Sequence, residues 1–149
     1  MTEVRFYHLT RANLQSALPV MLERTLERGQ RAVVRTSTEE RAESLASHLW
    51  TYRDETFLPH GTAKDGFPDD QPVWLTSKDE TPNDPDVLFL TDGAEASDLG
   101  RFKLCAILFD GRDSEAVAAA RAQWKALSGE GQEVTYWQQD EDGRWAQKA

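Results

Sequence analysis

Apolar and polar residues along this chain change period several times, and each change marks an element. Val4-Arg5-Phe6-Tyr7-His8-Leu9 alternates loosely, as a partly buried strand does. Leu14, Leu18, Met21, Leu22 and Leu26 then recur at helical spacing, with Asn13 placed to cap that helix and Gly29 to end it after Arg28. Arg31-Ala32-Val33-Val34-Arg35 predicts a short β-branched strand. Ser37-Thr38-Glu39-Glu40 has the spacing of a capping box, with Ser37 as N-cap and Glu40 closing it, ahead of Ala42, Leu45, Ala46 and Leu49 on one helical face.

After Trp50 the pattern breaks at Pro59, Gly61, Gly66, Pro68 and Pro72, and short apolar runs replace helical periods. Strands are predicted at Gln71–Leu75, Val87–Leu90 and Lys103–Phe109, the last two continuous enough to be covered on both faces. Asp110-Gly111-Arg112-Asp113-Ser114 leads into a third helix from about Glu115 to Leu127. Gly129 and Gly131 precede a last strand at Glu133–Gln138, and the tail from Asp140 is expected to fray. This alternation predicts an α/β fold: a single domain over residues 1–149 with an open, mostly parallel sheet and flanking helices.

Composition narrows the function. The net charge of −9 and a pI near 4.8 work against nucleic-acid phosphates and anionic membranes as partners. Asp65–Asp70, Asp79–Asp86 and Asp140–Asp142 sit beside Gly or Pro and read as solvated loops. Cys105, the one cysteine, lies in the apolar run Leu104–Leu108 and packs as a small hydrophobe. No apolar stretch approaches the roughly 20 residues that span a bilayer, and a strand begins where a signal peptide would stand, so a cytoplasmic protein is expected.

Catalytic and cofactor signals are weak. A nucleotide site in this architecture needs a glycine-rich turn after the first strand, whereas Leu9-Thr10-Arg11-Ala12-Asn13 has no glycine and no P-loop occurs elsewhere. The expectation is Rossmann-like without a phosphate-binding loop, and without a cofactor. His8, His48 and His60 are too far apart for a local metal motif, and a thiolate at Cys105 would be opposed by burial. Two aromatic features remain. Trp50 and Phe57 flank the end of the second helix and either close the core or meet a partner. Val117, Arg121, Trp124 and Lys125 fall at i, i+4, i+7 and i+8 of the third helix, which makes either a basic and aromatic patch or a solvated face with Trp124 turned inward.

Several short stretches occur in a telling order. They are Phe6-Tyr7-His8-Leu9, Gly29-Gln30-Arg31-Ala32-Val33, Leu49-Trp50, Phe57-Leu58-Pro59-His60, Pro72-Val73 and Arg121-Ala122-Gln123-Trp124-Lys125. Together they resemble the chi subunits of bacterial DNA polymerase III over nearly the whole chain. The resemblance implies a non-enzymatic subunit of the clamp-loader assembly, with a nucleotide-binding-like fold that has lost its phosphate loop.

It further implies a site for the acidic C-terminal tail of single-stranded-DNA-binding protein, which ends in Pro-Phe. Arg121 and Trp124 match the family's basic and aromatic helix positions, Trp124 standing where a tyrosine is familiar. Val117 departs from the pattern, since a lysine is familiar there, which implies either weaker tail binding or help from Arg112 or Lys125. Trp50 and Phe57 match aromatics that contact the psi subunit, or another replication or repair protein where psi is missing. Two rivals stand beside this adaptor: a small nucleotide-binding enzyme on the same scaffold, and a direct binder of single-stranded DNA through exposed tryptophans.

Overall fold

The computed structural model describes residues 2–10, 12–51 and 58–149, and its strands join in one open sheet. In chain order the elements are β1 (Glu3–Leu9), α1 (Leu14–Glu27), β2 (Ala32–Arg35), α2 (Glu39–Thr51), β3 (Val73–Thr76), β4 (Val87–Leu90), β5 (Leu104–Asp110), α3 (Ser114–Gly129), β6 (Glu133–Gln139) and β7 (Trp145–Gln147). Across the sheet they run β3-β2-β4-β5-β1-β6-β7, with β6 and β7 antiparallel and the other neighbours parallel. The open, mostly parallel α/β architecture predicted from the sequence is thus the one observed. None of the described helices is long and apolar enough to cross a membrane.

Alternation along the central strands divides the core in two. Tyr7, Leu9, Ala106 and Leu108 face α1 and α2 on the front of the sheet, while Val4, Phe6, Cys105 and Ile107 face α3 on the back. This double burial is why β4 and β5 read as continuous apolar runs.

Local chemistry sets the helix ends. Asn13 accepts from the Ser16 N–H at 2.9 Å. At the other end of α1, Gly29 takes the left-handed conformation (φ 76°) that lets its N–H reach the Leu26 carbonyl at 2.9 Å and the Gln30 N–H reach the Thr25 carbonyl at 3.2 Å. Pro19 lies inside α1 and removes the N–H that would otherwise bond to the Gln15 carbonyl. His48 of α2 donates to that carbonyl instead, from Nε2 at 2.7 Å, which ties the two front helices together.

Two expectations are corrected. The N-cap of α2 is Thr38, not Ser37: its Oγ1 accepts from the Arg41 N–H at 3.1 Å. This shift puts Arg41 at the third helical position, where no carboxylate closes a box, and Glu39 reaches instead to the N–H (3.1 Å) and hydroxyl (2.7 Å) of Ser77 after β3. The tail from Asp140 does not fray. Asp140 Oδ1 accepts from the N–H groups of Asp142 and Arg144, both at 2.9 Å, and the chain returns as β7 with Trp145 edge-on to Tyr7 at 5.0 Å. An Asp-rich segment here is an ordered hairpin turn because its carboxylate bonds its own backbone.

Behind β2 and β4 the covering layer is a loop, residues 91–103, and one buried arginine holds it. Arg35 is 1% exposed; its guanidinium forks onto Asp98 at 2.6 and 2.8 Å, donates to the Glu80 carbonyl at 3.2 Å and lies over the Phe102 ring. The hydrogen bonds from Arg35 hold the Asp98 carboxyl below its usual pKa. A depressed carboxyl stabilises the fold fully above its unfolded pKa of about 3.9 and loses that contribution as pH falls through the folded value. Denaturant titrations of Asp98→Asn should therefore show a loss of about 2 kcal/mol at pH 7 and a shallower decline than wild type below about pH 4. Parallel declines would mean that the pair contributes nothing. The loss sits below the ~3–5 kcal/mol of a fully buried pair because Asp98 is partly solvated and Asp79 remains 3.5 Å from Arg35.

Candidate functional site

β1 sends its helix over the front face and β5 sends its helix over the back. Between them a crevice of about 500 Å³ opens beyond the carboxyl ends of β1, β4 and β5. Open α/β sheets hold nucleotides at such a switch point, using backbone N–H groups and cations. Here Asp92, Asp110, Asp113 and Glu115 line it, and the guanidinium groups beside them are engaged. Arg41 forks onto Asp92 at 3.0 and 3.3 Å, and Arg112 reaches Asp110 at 3.2 Å. The Ser16 N–H is held by the Asn13 cap, and the Ala12 N–H goes to Gln139 Oε1 at 3.0 Å. Arg11 lies outside the described residues. A phosphate would meet carboxylates here, which fits the absence of glycine from the β1–α1 turn.

The basic helix lies on the other side of the sheet. Asp113 caps α3 by accepting from the Glu115 and Ala116 N–H groups at 3.0 and 3.5 Å, and Val117, Ala120, Trp124 and Leu127 pack toward the sheet. Trp124 is turned inward, edge-on to Phe6 at 5.5 Å and to Tyr136 at 6.0 Å. Arg121 and Lys125, one turn apart, stay exposed. Arg112 stands before the cap with Asp110, apart from this pair.

His8 and Tyr136 complete the seam between α3 and the sheet. His8 Nδ1 and the Tyr136 hydroxyl form a short hydrogen bond. Burial holds the His8 pKa below its ordinary value, opposed by the Gly111 carbonyl and reinforced by the charge of Arg121. Burial also raises the pKa of Tyr136, against the pull of Arg121. Both residues therefore lie within the field of Arg121, and sequence reasoning missed them. The signal was the alternation of Phe6 and His8 in β1, which becomes a site only when β6 adds Tyr136 opposite Phe6.

The two flanks of α3 differ in charge. Opposite the seam, a groove of about 520 Å³ between α3 and residues 95–100 carries Glu95 and Glu130 and, among its described lining residues, no lysine or arginine. Of the two flanks of α3, the Arg121 side is the one on which the described residues place exposed cations.

Trp50 sits near the end of α2, on the front, and is 50% exposed. Its ring meets the imidazole of His60 at 4.6 Å, and His60 is buried with its nitrogens 2.6 and 2.9 Å from the Leu58 and Ala46 carbonyls. One side of the indole is thus held by a fixed partner while much of its surface faces solvent. Phe57 lies outside the described residues. Cys105 is fully buried in β5, and burial pushes its thiol pKa far up, away from a nucleophile's range.

Comparison with known proteins adds a family. The family model described as "DNA polymerase III chi subunit, HolC" matches residues 1–135. A protein of Rickettsia prowazekii (strain Madrid E) named "Probable DNA polymerase III subunit chi" is 29% identical over 90 residues, which are 60% of this chain. The chain spans about half of that relative's length, 54%.

The seam makes a steric prediction. A Cβ on Gly111 would lie 1.8 Å from His8 Nε2, so the imidazole must swing away and release Tyr136. Gly111→Ala should cost about 1–3 kcal/mol in denaturant titrations. The same variant should move the His8 ring resonances in NMR. Unchanged stability with unmoved resonances would show that the seam accommodates a methyl group.

Proposed function

Because the chain belongs to the family of DNA polymerase III chi subunits, we propose that it acts as a replication adaptor, linking the clamp loader to single-stranded-DNA-binding protein by holding that protein's acidic C-terminal tail. The observation that carries this reading is the state of Arg121. Among the described residues no carboxylate stands within ion-pairing distance of it, which it shares with Arg24, Arg28, Arg31 and Arg144 but not with Arg5, Arg35, Arg41, Arg101 or Arg112, and of these it is the one whose charge acts on both His8 and Tyr136. An exposed, unpaired guanidinium beside an aromatic seam is the chemistry that a carboxylate-ended, ring-bearing peptide needs.

Lys125 supplies a second cation one turn on, while Arg112 is already tied to Asp110. Val117 and the Trp124 ring back the contact from within, both packed against the core. Trp50, with Phe57, serves the second attachment, to psi or to another replication or repair protein. α2 and α3 lie on opposite faces of the sheet, so the two attachments do not compete for space. Several tails on one oligomeric binding protein would raise the avidity of a weak contact.

Calorimetric titration of an acidic peptide ending in Asp-Ile-Pro-Phe tests the tail site. Binding should saturate, weaken with salt, and fall by at least ~1.4 kcal/mol, a tenfold change, in Arg121→Ala. Trp50→Ala should leave it unaltered. Absence of binding to the wild-type chain, or equal binding by Arg121→Ala, would move the tail site off α3.

A further inference from the structure

On the front of the sheet, Tyr7 and Leu9 of β1 are buried, whereas Trp137 of β6 and Trp145 of β7, packed against the same core, stay partly exposed. Between α1 and this face lies a slot of about 190 Å³. Its aromatic side is Tyr7, Trp137 and Trp145; its basic side is Arg5, Arg24 and Arg28. Tyr7 and Trp137 are cross-strand neighbours with rings 27° from parallel, Trp145 stands edge-on to Tyr7, and both indoles are partly exposed. Arg5 lies over the Trp137 ring at 5.3 Å, pairs with Glu3 and donates to the Tyr7 hydroxyl at 3.4 Å.

Arg24 and Arg28 differ from Arg5. Arg24 lies in the last turn of α1 and Arg28 is its C-cap, so at i and i+4 they project from the same side, about 6 Å apart along the axis. Both are exposed, and no carboxylate pairs with either among the described residues. On a chain of net charge −9 this is a local concentration of positive charge around flat rings.

We infer that this slot binds single-stranded nucleic acid, with a base held against the indoles and successive phosphates on Arg24 and Arg28. An uncovered sheet face carrying aromatics beside guanidinium groups is the arrangement by which sheets take unpaired bases. A base suits the slot better than an apolar side chain because its polar edges meet polar groups there: the Tyr7 hydroxyl and the guanidinium of Arg5. The acidic remainder of the surface limits the contact to a short stretch of strand. Two of the slot's rings, Trp137 and Trp145, lie beyond residue 135, where the family match ends, while Arg5, Tyr7, Arg24 and Arg28 lie within it. The slot is on the face opposite α3, so tail and strand could be held together.

Fluorescence anisotropy of labelled oligothymidylate, titrated with the full chain at low and moderate salt, tests this. Saturable binding should appear at low salt and weaken at least tenfold in Arg24→Ala/Arg28→Ala. That variant should also lower the log–log salt slope by about 1.4, ~0.7 for each phosphate left without its guanidinium. Trp145→Ala should weaken binding at least about fivefold; the arginine pair, on an exposed helix face, keeps the test independent of folding. Arg121→Ala should bind oligonucleotide as wild type does, which separates this site from the proposed tail site. The inference is overturned by no saturable binding at low salt, by loss of binding in Arg121→Ala but not in the Arg24/Arg28 variant, or by a slot that takes the acidic peptide and not the oligonucleotide.

Discussion

A mostly parallel sheet has two apolar faces to cover, and among the described residues three α-helices cover seven strands. The shortfall shapes the rest of the molecule. α1 and α2 close the front over β3, β2, β4 and β5, and α3 closes the back over β5, β1 and β6. Two areas remain. The back of β2 and β4 is covered by residues 91–103, a segment with little regular structure, and Arg35 is the buried post to which it is tied through Asp98. The front of β6 and β7 receives no helix and is covered by its own tryptophans, Trp137 and Trp145, packed beside Tyr7. Each area thus solves the same covering problem with different chemistry, one ionic and one aromatic.

The ionic solution has a physical rationale in what surrounds it. A guanidinium at 1% exposure would be costly alone, but Arg35 meets a carboxylate fork, a backbone carbonyl and an aromatic face at once. Its Nε is left without a partner, so the site is not perfectly satisfied. An arginine here instead of an apolar residue ties three separate loop positions, Asp79, Glu80 and Asp98, to the end of β2. It gives the irregular cover one register on the sheet.

The sequence was most legible where structure is decided locally. Asn13 and Gly29 mark the ends of α1 because capping depends on residues within one turn. Ser37 and Thr38 illustrate the limit of that logic: both can cap, and the contact that favours Thr38 is the reach of Glu39 to Ser77, which is tertiary. β7 was hidden for the same reason, since its partner residues Trp137 and Tyr7 come from strands whose order the sequence does not reveal. At the candidate site, the exposed cations Arg121 and Lys125 could be placed on one side of a helix by spacing alone. That Trp124 turns inward, and that His8 and Tyr136 lie beside Arg121, depends on β1 standing between β5 and β6.

The switch-point crevice explains why a nucleotide-like architecture can serve another purpose. In such a fold the strongest anion-binding position is the end of β1, where the next helix begins. Among the described residues, several groups at that position are taken by internal hydrogen bonds: Asn13 takes the Ser16 N–H, Gln139 takes the Ala12 N–H, and Arg41 and Arg112 are bound to Asp92 and Asp110. Among the described residues, exposed guanidinium groups without a carboxylate partner lie elsewhere, among them Arg121 on α3 and, on the opposite face of the sheet, Arg24 and Arg28 at the C-terminal end of α1. Anionic partners would then be met by helix flanks and a sheet face, surfaces broad enough for a polymer or a tail. A crevice with its ion pairs closed internally is left to hold β1, β4 and β5 in place.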